Sequence, residues 1–332
     1  MSLEEIYLGI DLGGTKTNIG LVDTRGKVLA QQKIATTTKG GTGYARQDIR
    51  DIVQGAQKIM ATLAPDRPIR SIGIGVPGTV DRNLGEIIFA PNLDWRHIPI
   101  RDIFAETFQV PICVGQDTEA AALGEFLYGA GKGMQDIACI TIGTGIGCGL
   151  IIGGHLYKGR FGTAGEIGHT VVEKEGLPCN CGKNGCMEAY ASGTAILNRF
   201  RLAVQAGHKT SLLQNMQLDQ VTTPDIFAGA KAHDQLSKEI IESAVEYLSM
   251  ALTNLINLVC PEVVILSGGI GQQRELYIDP LIKRTYARMY SLLVGKVKIT
   301  PAKLGANAPL VGAAMLFKDP LYQQDRRDDT PC

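Results

Sequence analysis

The sequence lacks several features that would assign it quickly to a functional class. It has no charge excess, with 33 Lys and Arg against 33 Asp and Glu, so nothing favours a nucleic-acid or membrane surface. It has no apolar run that approaches the roughly 18–20 residues needed to span a bilayer. Its start, Met1-Ser-Leu-Glu-Glu5, is acidic and leads straight into an apolar stretch, which predicts that there is no signal peptide. We therefore expect a cytoplasmic protein with no nucleic-acid or membrane partner.

Glycine, in contrast, is abundant, with 40 residues in a chain of 332. The glycines cluster in turns beside apolar runs, a pattern typical of phosphate-binding folds. Hydrophobic residues make up 45% of the sequence, and the chain is long enough for two domains that each bury a core.

Periodicity and glycine turns predict an α/β protein. We predict strands over 6–10, 18–22, 28–30, 72–76, 112–114, 136–142, 148–152 and 262–266, and helices over 45–63, 100–108, 118–127 and 236–259. Both halves of the chain run from a hairpin with a glycine turn, through helices, to a strand that ends in glycines. That order favours an internal duplication. Residues 321–332 form a polar tail, and its end, 325–332, is predicted to be disordered.

Three glycine loops, each after an apolar strand, form the candidate nucleotide site. Asp11-Leu-Gly-Gly-Thr-Lys16 would present backbone N–H groups, a hydroxyl and an ammonium to one anion. It lacks the spacing of a P-loop, and a plain β-hairpin turn explains its glycines equally well. Gly143-Thr-Gly-Ile-Gly147 and Gly268-Gly-Ile-Gly271 repeat the arrangement. Together the three loops predict a nucleotide in a cleft between two domains.

One His and three Cys lie at short intervals in the middle of the chain: His169, Cys179, Cys181 and Cys186. One imidazole and three thiolates complete a tetrahedral zinc site with no position for water, so the metal would be structural. The alternatives are a disulfide with a spare Cys, or three free thiols. We favour zinc because Cys-x-Cys bridges are strained and the chain otherwise has the features of a cytosolic protein.

The carboxylates around these motifs have two interpretations each. Asp117 precedes Ala-Ala-Ala-Leu, where Asp is a favoured helix N-cap, but a carboxylate at a strand-to-helix junction also suits a catalytic base. Glu166 and Glu188 bracket the His and Cys residues, and they are either solvated charges or partners for sugar hydroxyls. His169 could join them, because zinc on one ring nitrogen leaves the other free to donate.

The motifs at 11–16, 143–149, 165–169 and 179–188 resemble those of the ROK family of sugar kinases and repressors, and most closely its bacterial glucokinases. The resemblance covers roughly residues 5–318. It implies two actin/hexokinase-like (ribonuclease H-like) α/β domains that flank a nucleotide- and sugar-binding cleft. It further implies a small domain of 1–116 with a C-terminal helix at about 306–320, and a large domain of 117–305 that carries the zinc. A homodimer or homotetramer is also expected from the family.

The resemblance also implies a role for each matching residue. It makes Asp117 the base for the sugar 6-hydroxyl. The sugar ligands would be Gly78, Asn92, Gln116, Asp117, Glu166, His169 and Glu188. The ATP site would comprise Asp11, Gly13, Gly14, Thr15, Lys16, Gly143, Thr144, Gly145, Gly147, Gly268 and Gly269. Structural zinc would be held by His169, Cys179, Cys181 and Cys186. Mg²⁺ would accompany the nucleotide, with Asp11 its nearest protein group through water.

The chain departs from the family pattern at the catalytic junction, where Gln116-Asp117 replaces the usual Asn-Asp, and Glu119 stands where Asn is frequent. Gln is one methylene longer, so its contact with a sugar hydroxyl must move, and hydrogen-bonding sites discriminate steeply against misplaced partners. Glucose is the expected substrate, with N-acetylmannosamine, N-acetylglucosamine, mannose and fructose as alternatives. A sugar-responsive repressor would carry an N-terminal helix-turn-helix extension, whereas here the first phosphate strand begins by Ile6. A non-catalytic sugar sensor is the remaining alternative.

Overall fold

The computed structural model describes residues 5–36, 42–63, 67–214 and 216–322, so 323–332 of the predicted polar tail lie outside the described residues. The strands are β1 (Ile6–Leu12), β2 (Lys16–Asp23), β3 (Val28–Ala35), β4 (Ile69–Val76), β5 (Thr79–Asp81), β6 (Glu86–Ala90), β7 (Trp95–Ile98), β8 (Ile112–Gln116), β9 (Ile137–Ile142), β10 (Ile146–Ile152), β11 (His155–Leu156), β12 (Val263–Ser267) and β13 (Lys298–Pro301). Each strand predicted from the sequence is present.

The helices are α1 (Thr42–Leu63), α2 (Ile100–Ala105), α3 (Asp117–Tyr128), α4 (Glu188–Ala191), α5 (Gly193–Gln205), α6 (Thr223–Lys231), α7 (Gln235–Val259), α8 (Asp279–Arg288) and α9 (Ala308–Ala314). Single 3₁₀ turns occur at Ile167–His169, Leu212–Gln214, Ile270–Gln272, Ser291–Leu293, Gly305–Asn307, Leu316–Lys318 and Pro320–Tyr322, and a π turn at Arg274–Ile278. Within the described ranges, no helix is both long and apolar enough to cross a membrane.

The first sheet has the strand order β3-β2-β1-β4-β8. β1 pairs antiparallel with β2, and β2 with β3, whereas β1, β4 and β8 run parallel. Parallel strands end at the same edge of a sheet, so residues that follow β1, β4 and β8 lie close together. Asp11, Gly75 and Gly115 are register partners across these three strands.

The second sheet repeats this order, as β11-β10-β9-β12-β13. β10 and β11 form an antiparallel hairpin, and β12 pairs parallel with β13. Each five-stranded sheet therefore consists of three strands joined by hairpins, followed by two strands reached by crossover connections. The shared topology supports the internal duplication predicted from the sequence. A small three-stranded sheet, β5-β6-β7, was not predicted.

Packing divides the chain into two compact units. The first comprises 1–139, 149–164 and 306–332, and the second comprises 140–148 and 165–305. By packing, 117–139 and 149–164 therefore belong with the first unit. The expected folding domains, 1–116 with about 306–320 and 117–305, stay a prediction.

In the first unit, glycines determine how closely helices approach the sheet. Gly9 and Gly73 are register partners on β1 and β4, and both face α9. A Cβ on Gly73 would lie 1.7 Å from the Ala313 carbonyl oxygen. In turn, a Cβ on Gly312 would lie 1.6 Å from the Ala120 carbonyl oxygen on α3. The backbone of the sheet therefore contacts the backbone of α9, and the backbone of α9 contacts that of α3. These close contacts position the start of α3 at the edge of the sheet.

The hydrophobic core of this unit packs against α1. The predicted face of α1 is buried, with Ile49, Ile52, Val53, Ala56 and Ile59 inside. It joins β1 side chains such as Leu8 and the fully buried Trp95 and Phe104. The helix thus packs on β2 and β3 of the first sheet.

Candidate active site

The catalytic candidate Asp117 lies at the edge where β1, β4 and β8 end. β8 ends at Gln116 and α3 begins with Asp117. Gly75 on β4 is a neighbour of this turn, because a Cβ there would lie 3.5 Å from the Asp117 Cα, in ordinary van der Waals contact. Gly75 is also the register partner of Asp11. The sheet therefore brings Asp11 and Asp117 close together.

The helix N-cap is Gln116 and not Asp117, which corrects the capping interpretation of Asp117. Asp117 is the first helical residue, and its Oδ1 accepts a hydrogen bond from the backbone N–H of Thr118 at 2.8 Å. The Gln116 backbone N–H is instead satisfied by the Glu119 carboxylate, at 3.2 Å from Oε2. Asp117 is therefore not needed for the capping role that its sequence position suggested.

The pKa of Asp117 is raised to about 7, first by burial and then by the neighbouring Asp11 and Glu119 charges. The backbone N–H groups of Thr118 and of Asp117 itself act in the opposite direction and lower it. Desolvation also raises the pKa of Asp11, while the Asn18 amide opposes it by donating to Asp11 Oδ2 at 2.8 Å. Both effects follow from placing two carboxylates in one desolvated site. A carboxyl that titrates near neutrality can accept a proton at physiological pH.

Other residues that were predicted to bind the sugar or the nucleotide also lie close together in the first unit. Gln116 Nε2 donates to the Gly78 carbonyl at 3.0 Å. Gly78 has a positive φ of 92°, and a Cβ there would lie 2.2 Å from the Phe89 carbonyl oxygen, so only glycine fits. A Cβ on Gly14 would lie 3.5 Å from Asn92 Cβ, which makes these two residues neighbours.

The loop between β1 and β2 is a hairpin turn, as the plainer interpretation held. Gly13 N–H donates to the Lys16 carbonyl at 3.2 Å, which closes the turn. Thr15 and Lys16 are exposed. The turn therefore leaves a hydroxyl and an ammonium accessible beside Asp11, so the hairpin conformation and the predicted phosphate contact are compatible.

In the second unit the other two glycine loops meet. Gly268 follows β12 with a φ of 88°, and a Cβ there would lie 2.4 Å from the Ile142 carbonyl oxygen, directly before Gly143. A Cβ on Gly269 would have no neighbour within 4 Å. A Cβ on Gly143 would likewise have no neighbour within 4 Å, so the adjacent ends of β9 and β12 present two glycine loops that both have open space beside them.

The start of α5 adds a feature that the sequence interpretation missed. Gly193 N–H donates to the Gly143 carbonyl at 2.8 Å, and Thr194 N–H to the Thr144 carbonyl at 3.3 Å. Ser192 caps the helix, accepting from the Ala195 N–H at 3.1 Å. The signal available in the sequence was Ser before a helical apolar pattern. The contact with the loop at 143–145, however, requires the tertiary fold.

Glu188, at the start of α4, supports the same loop. Its Oε2 accepts a hydrogen bond from the Ile146 N–H at 2.7 Å. A Cβ on Gly145 would lie 2.6 Å from that oxygen, so the loop approaches the carboxylate closely. Of the remaining loop residues, Thr144 is joined to α5 as described, and the Gly147 carbonyl lies 3.4 Å from the Thr141 hydroxyl.

His169, Cys179, Cys181 and Cys186 converge, and their ligand atoms all lie within 4.8 Å of one another. His169 Nδ1 is 3.6 Å from Cys179 Sγ, and Cys181 Sγ is 3.6 Å from Cys186 Sγ. Ligands of a tetrahedral zinc, at about 2.0–2.3 Å from the metal, lie about 3.5–3.8 Å apart. A disulfide would need about 2.05 Å. The cluster therefore fits zinc and not a Cys181–Cys186 bridge.

The glycines between the second and third thiols make the required turns. Gly182 and Gly185 both have positive φ, 83° and 77°. The Gly182 N–H donates to the Cys179 carbonyl at 2.9 Å, and the Gly185 N–H to the Leu177 carbonyl at 2.8 Å. The chain therefore folds back tightly enough to bring all three thiols to one point.

The flanking carboxylates lie beside this cluster. The 3₁₀ turn at 167–169 aligns Glu166 with His169, and Glu166 Oε2 is 3.8 Å from His169 Nε2. Desolvation raises the pKa of Glu166, His169 lowers it, and Glu188 raises it, so Glu188 is also near. With Nδ1 directed at Cys179, Nε2 lies beside the Glu166 carboxylate, so these two groups are available to a polar ligand.

The chain matches known proteins over nearly its full length. The sequence model of the ROK family matches residues 7–320. The chain is 32% identical to the glucokinase of Halalkalibacterium halodurans, over 98% of each chain. It is 30% identical to the xylose repressor of Caldicellulosiruptor bescii, over 95% of this chain and 78% of the repressor.

Among solved structures, the chain is similar to a ROK family glucokinase from Streptomyces griseus in complex with glucose and AMPPNP. The identity is 34%, the TM-score is 0.78, and the match covers 94% of this chain and 98% of the glucokinase. The fold is thus the actin-like α/β fold of sugar kinases. The chain belongs to the ROK family.

Proposed function

We propose that this chain transfers the γ-phosphoryl group of ATP to the 6-hydroxyl of glucose, giving glucose 6-phosphate and ADP. The class of the reaction rests on the relatives: the chain is an ATP-dependent sugar kinase. The substrate and the catalytic base are the parts proposed. The observation that carries the base is the Asp117 carboxyl directly after β8, close to Asp11, with its pKa raised to about 7, whereas glucose as the substrate is supported by the similarity to glucokinases.

In the proposed reaction the 6-hydroxyl oxygen attacks the γ-phosphorus, and the bond to the β–γ bridging oxygen breaks. Asp117 accepts the hydroxyl proton as the new bond forms, so ADP leaves and the proton stays on the carboxyl. Because the base must be deprotonated, kcat/KM is expected to rise with pH through about 7. Exclusion of water on sugar binding would prevent loss of ATP by hydrolysis.

The remaining ligands are proposed from the family pattern and supported by the contacts above. Sugar hydroxyls would be bound by Gly78, Asn92, Gln116, Asp117, Glu166, His169 and Glu188. Phosphates and adenosine would be bound by Asp11, Gly13, Gly14, Thr15, Lys16, Gly143, Thr144, Gly145, Gly147, Gly268 and Gly269. We retain a homodimer or homotetramer as a prediction.

Two metals complete the proposal. Zinc would be held by His169 and the three thiolates, and would hold the 165–188 segment in place without taking part in the reaction. Mg²⁺ would arrive with the nucleotide and neutralise charge on its phosphates, with Asp11 nearby. The chain's own residues then orient the sugar and move the proton.

The test is Asp117→Asn, with glucose-dependent ADP release measured by a coupled assay. We expect kcat to fall by about 10²–10⁴-fold, the typical contribution of a general base. Glucose binding by calorimetry should stay within a few fold of wild type. Asp102→Asn is the matched control, since Asp102 is an exposed carboxylate in the first turn of α2. Full turnover in Asp117→Asn would remove the base assignment.

Substrate identity needs a panel in the same assay: glucose, mannose, fructose, N-acetylglucosamine and N-acetylmannosamine. Glucose should give the highest kcat/KM. A higher value for another sugar would replace the substrate and leave the kinase assignment intact.

A sugar-responsive repressor is a second candidate, favoured by the 30% identity to a xylose repressor. Retardation of DNA fragments by the purified protein, relieved by sugar, would support it. Sugar-dependent ADP release without DNA retardation would support the kinase alone.

A further inference from the structure

A buried ion pair lies behind the catalytic junction. Arg82, which follows β5, and Glu119, the third residue of α3, are 6% and 5% exposed. Arg82 directs two nitrogens at the carboxylate: Nη2 pairs with Oε1, and Nε lies 3.3 Å from Oε2. Charges this deeply buried need such a partner, because an unpaired buried charge loses its hydration without compensation.

Two further donors reach the same Glu119 oxygen. Tyr322 Oη donates to Oε2 at 3.0 Å, and the Gln116 backbone N–H donates to it at 3.2 Å. Burial, with the Glu119 charge, raises the pKa of Tyr322 well above its ordinary value, so the phenol stays protonated and acts as a donor. Gly115 makes room for it, because a Cβ there would lie 2.1 Å from Tyr322 Oη.

This cluster determines the backbone next to the proposed base. Glu119 holds the N–H of Gln116, the residue directly before Asp117. The Gln116 side chain holds the Gly78 carbonyl. The peptide that leads into Asp117 is thereby fixed from both sides. Stability alone does not account for the arrangement, because buried ion pairs add little over apolar packing.

We propose that Glu119, Arg82 and Tyr322 are positioning residues that hold the Gln116–Asp117 junction in the geometry for phosphoryl transfer. The proposal rests on the proposed function, in which Asp117 takes the proton. It extends the site to the end of the described chain, because Tyr322 lies in the 3₁₀ turn at 320–322.

Glu119 is one of the two charged side chains of the described residues that shift the titration of Asp117, so this titration reports on the cluster. Asp11 approaches from β1 and Glu119 from α3. β8 and α9, which pack on α3, contain no charged residue. On β4 the charged residue is Arg70, near the end opposite to Gly75. Removing the Glu119 charge while Arg82 stays should therefore lower the pKa of Asp117, and removing both charges should restore it.

The experiment compares Glu119→Gln, the neutral double variant Glu119→Gln with Arg82→Gln, and Tyr322→Phe, in glucose-dependent ADP release across pH. Glu119→Gln should lower kcat by about tenfold or more, since small displacements of a catalytic group are costly. In the pH profile of kcat/KM for Glu119→Gln, the acid limb should move to lower pH. In the double variant this acid limb should return towards its wild-type position, while kcat stays low. Tyr322→Phe should lower kcat by about two- to tenfold with the limb and the KM for ATP unchanged.

Glu125→Gln is the matched control. Glu125 is a fully buried carboxylate of the same helix, but its Oε2 accepts the Ala130 N–H at 2.7 Å, at the far end of α3. This control should change the melting temperature without moving the acid limb.

The inference is overturned if all three test variants match Glu125→Gln in kcat and in the position of the acid limb while Asp117→Asn is inactive. In that case the proposed function stands. An active Asp117→Asn would instead overturn the proposed function. If Glu119→Gln does not fold, the double variant and Tyr322→Phe decide between these outcomes.

Discussion

Asp117→Asn should make the protein more stable at neutral and alkaline pH while it lowers kcat by about 10²–10⁴-fold. Burial and the Asp11 charge raise the pKa of Asp117 from 3.8 to about 7, so the charged form is disfavoured in the folded state. A carboxyl with a raised folded pKa contributes stability that is fully present below its unfolded pKa. That contribution is lost as pH rises through the folded pKa. Asn is a neutral isostere of the protonated carboxyl, so the variant keeps this contribution to stability at high pH.

The magnitude follows from the two pKa values. The interval from 3.8 to about 7 corresponds to roughly 4 kcal/mol, at about 1.4 kcal/mol per pH unit. Asp117 is partly accessible, so solvent screening reduces the expected gain to about 2 kcal/mol. The advantage of the variant should be near zero at about pH 4, grow between pH 4 and 7, and stay level above that.

Urea unfolding at half-unit steps from pH 4.5 to 8.5, with zinc in the buffer, measures this difference. Titrating groups remote from Asp117 are common to both proteins and cancel in the difference at each pH, whereas Asp11 and Glu119 lose a neighbouring charge in the variant, so the difference reports on Asp117 together with these two carboxylates. Asp102→Asn serves again as the control, and its difference from wild type should stay small and level. A flat difference for Asp117→Asn, or a variant that is less stable at pH 8, would show that the folded protein does not disfavour the Asp117 charge.

Two further predictions concern the second unit. In Cys181→Ser the metal site loses one of its four ligands. Elemental analysis should therefore show bound zinc falling from about one per chain to near zero, and the melting temperature should fall. A wild-type enzyme purified active without zinc would contradict the metal assignment. Gly269→Ala should leave the melting temperature within about 2 °C of wild type, because a Cβ there meets no protein atom within 4 Å. The same Cβ should raise the KM for ATP by about tenfold if the nucleotide approaches Gly269. An unchanged KM would argue against contact between Gly269 and the nucleotide.

Local patterns in the sequence were enough for much of the fold. The strands that end in glycines, such as β1, β9 and β12, were predicted because apolar alternation and Gly-Gly turns are local signals. The apolar face of α1 was predicted in the same way. The cluster of one His and three Cys was predicted because ligand spacing restricts which metal can bind.

Other features could not be read from local patterns. Asp117 was interpreted as a possible helix cap, but the cap is Gln116 and the carboxylate that satisfies it is Glu119. Glu119 gave no signal of burial, since its partner Arg82 is 37 residues away and Tyr322 is 203 residues away. The contact of Gly193 with the loop at Gly143 was missed for the same reason.

By itself the sequence determined which residue types are available: glycines where the backbone must turn, four metal ligands at workable spacing, and a carboxylate at a strand-to-helix junction. Only the tertiary structure decided what surrounds each of them. Parallel pairing of β1, β4 and β8 places Asp11 near Asp117 and so determines the charge environment of the proposed base. Desolvation and Coulomb interactions depend on distance in space, and residues far apart in the chain become neighbours only when the sheet forms.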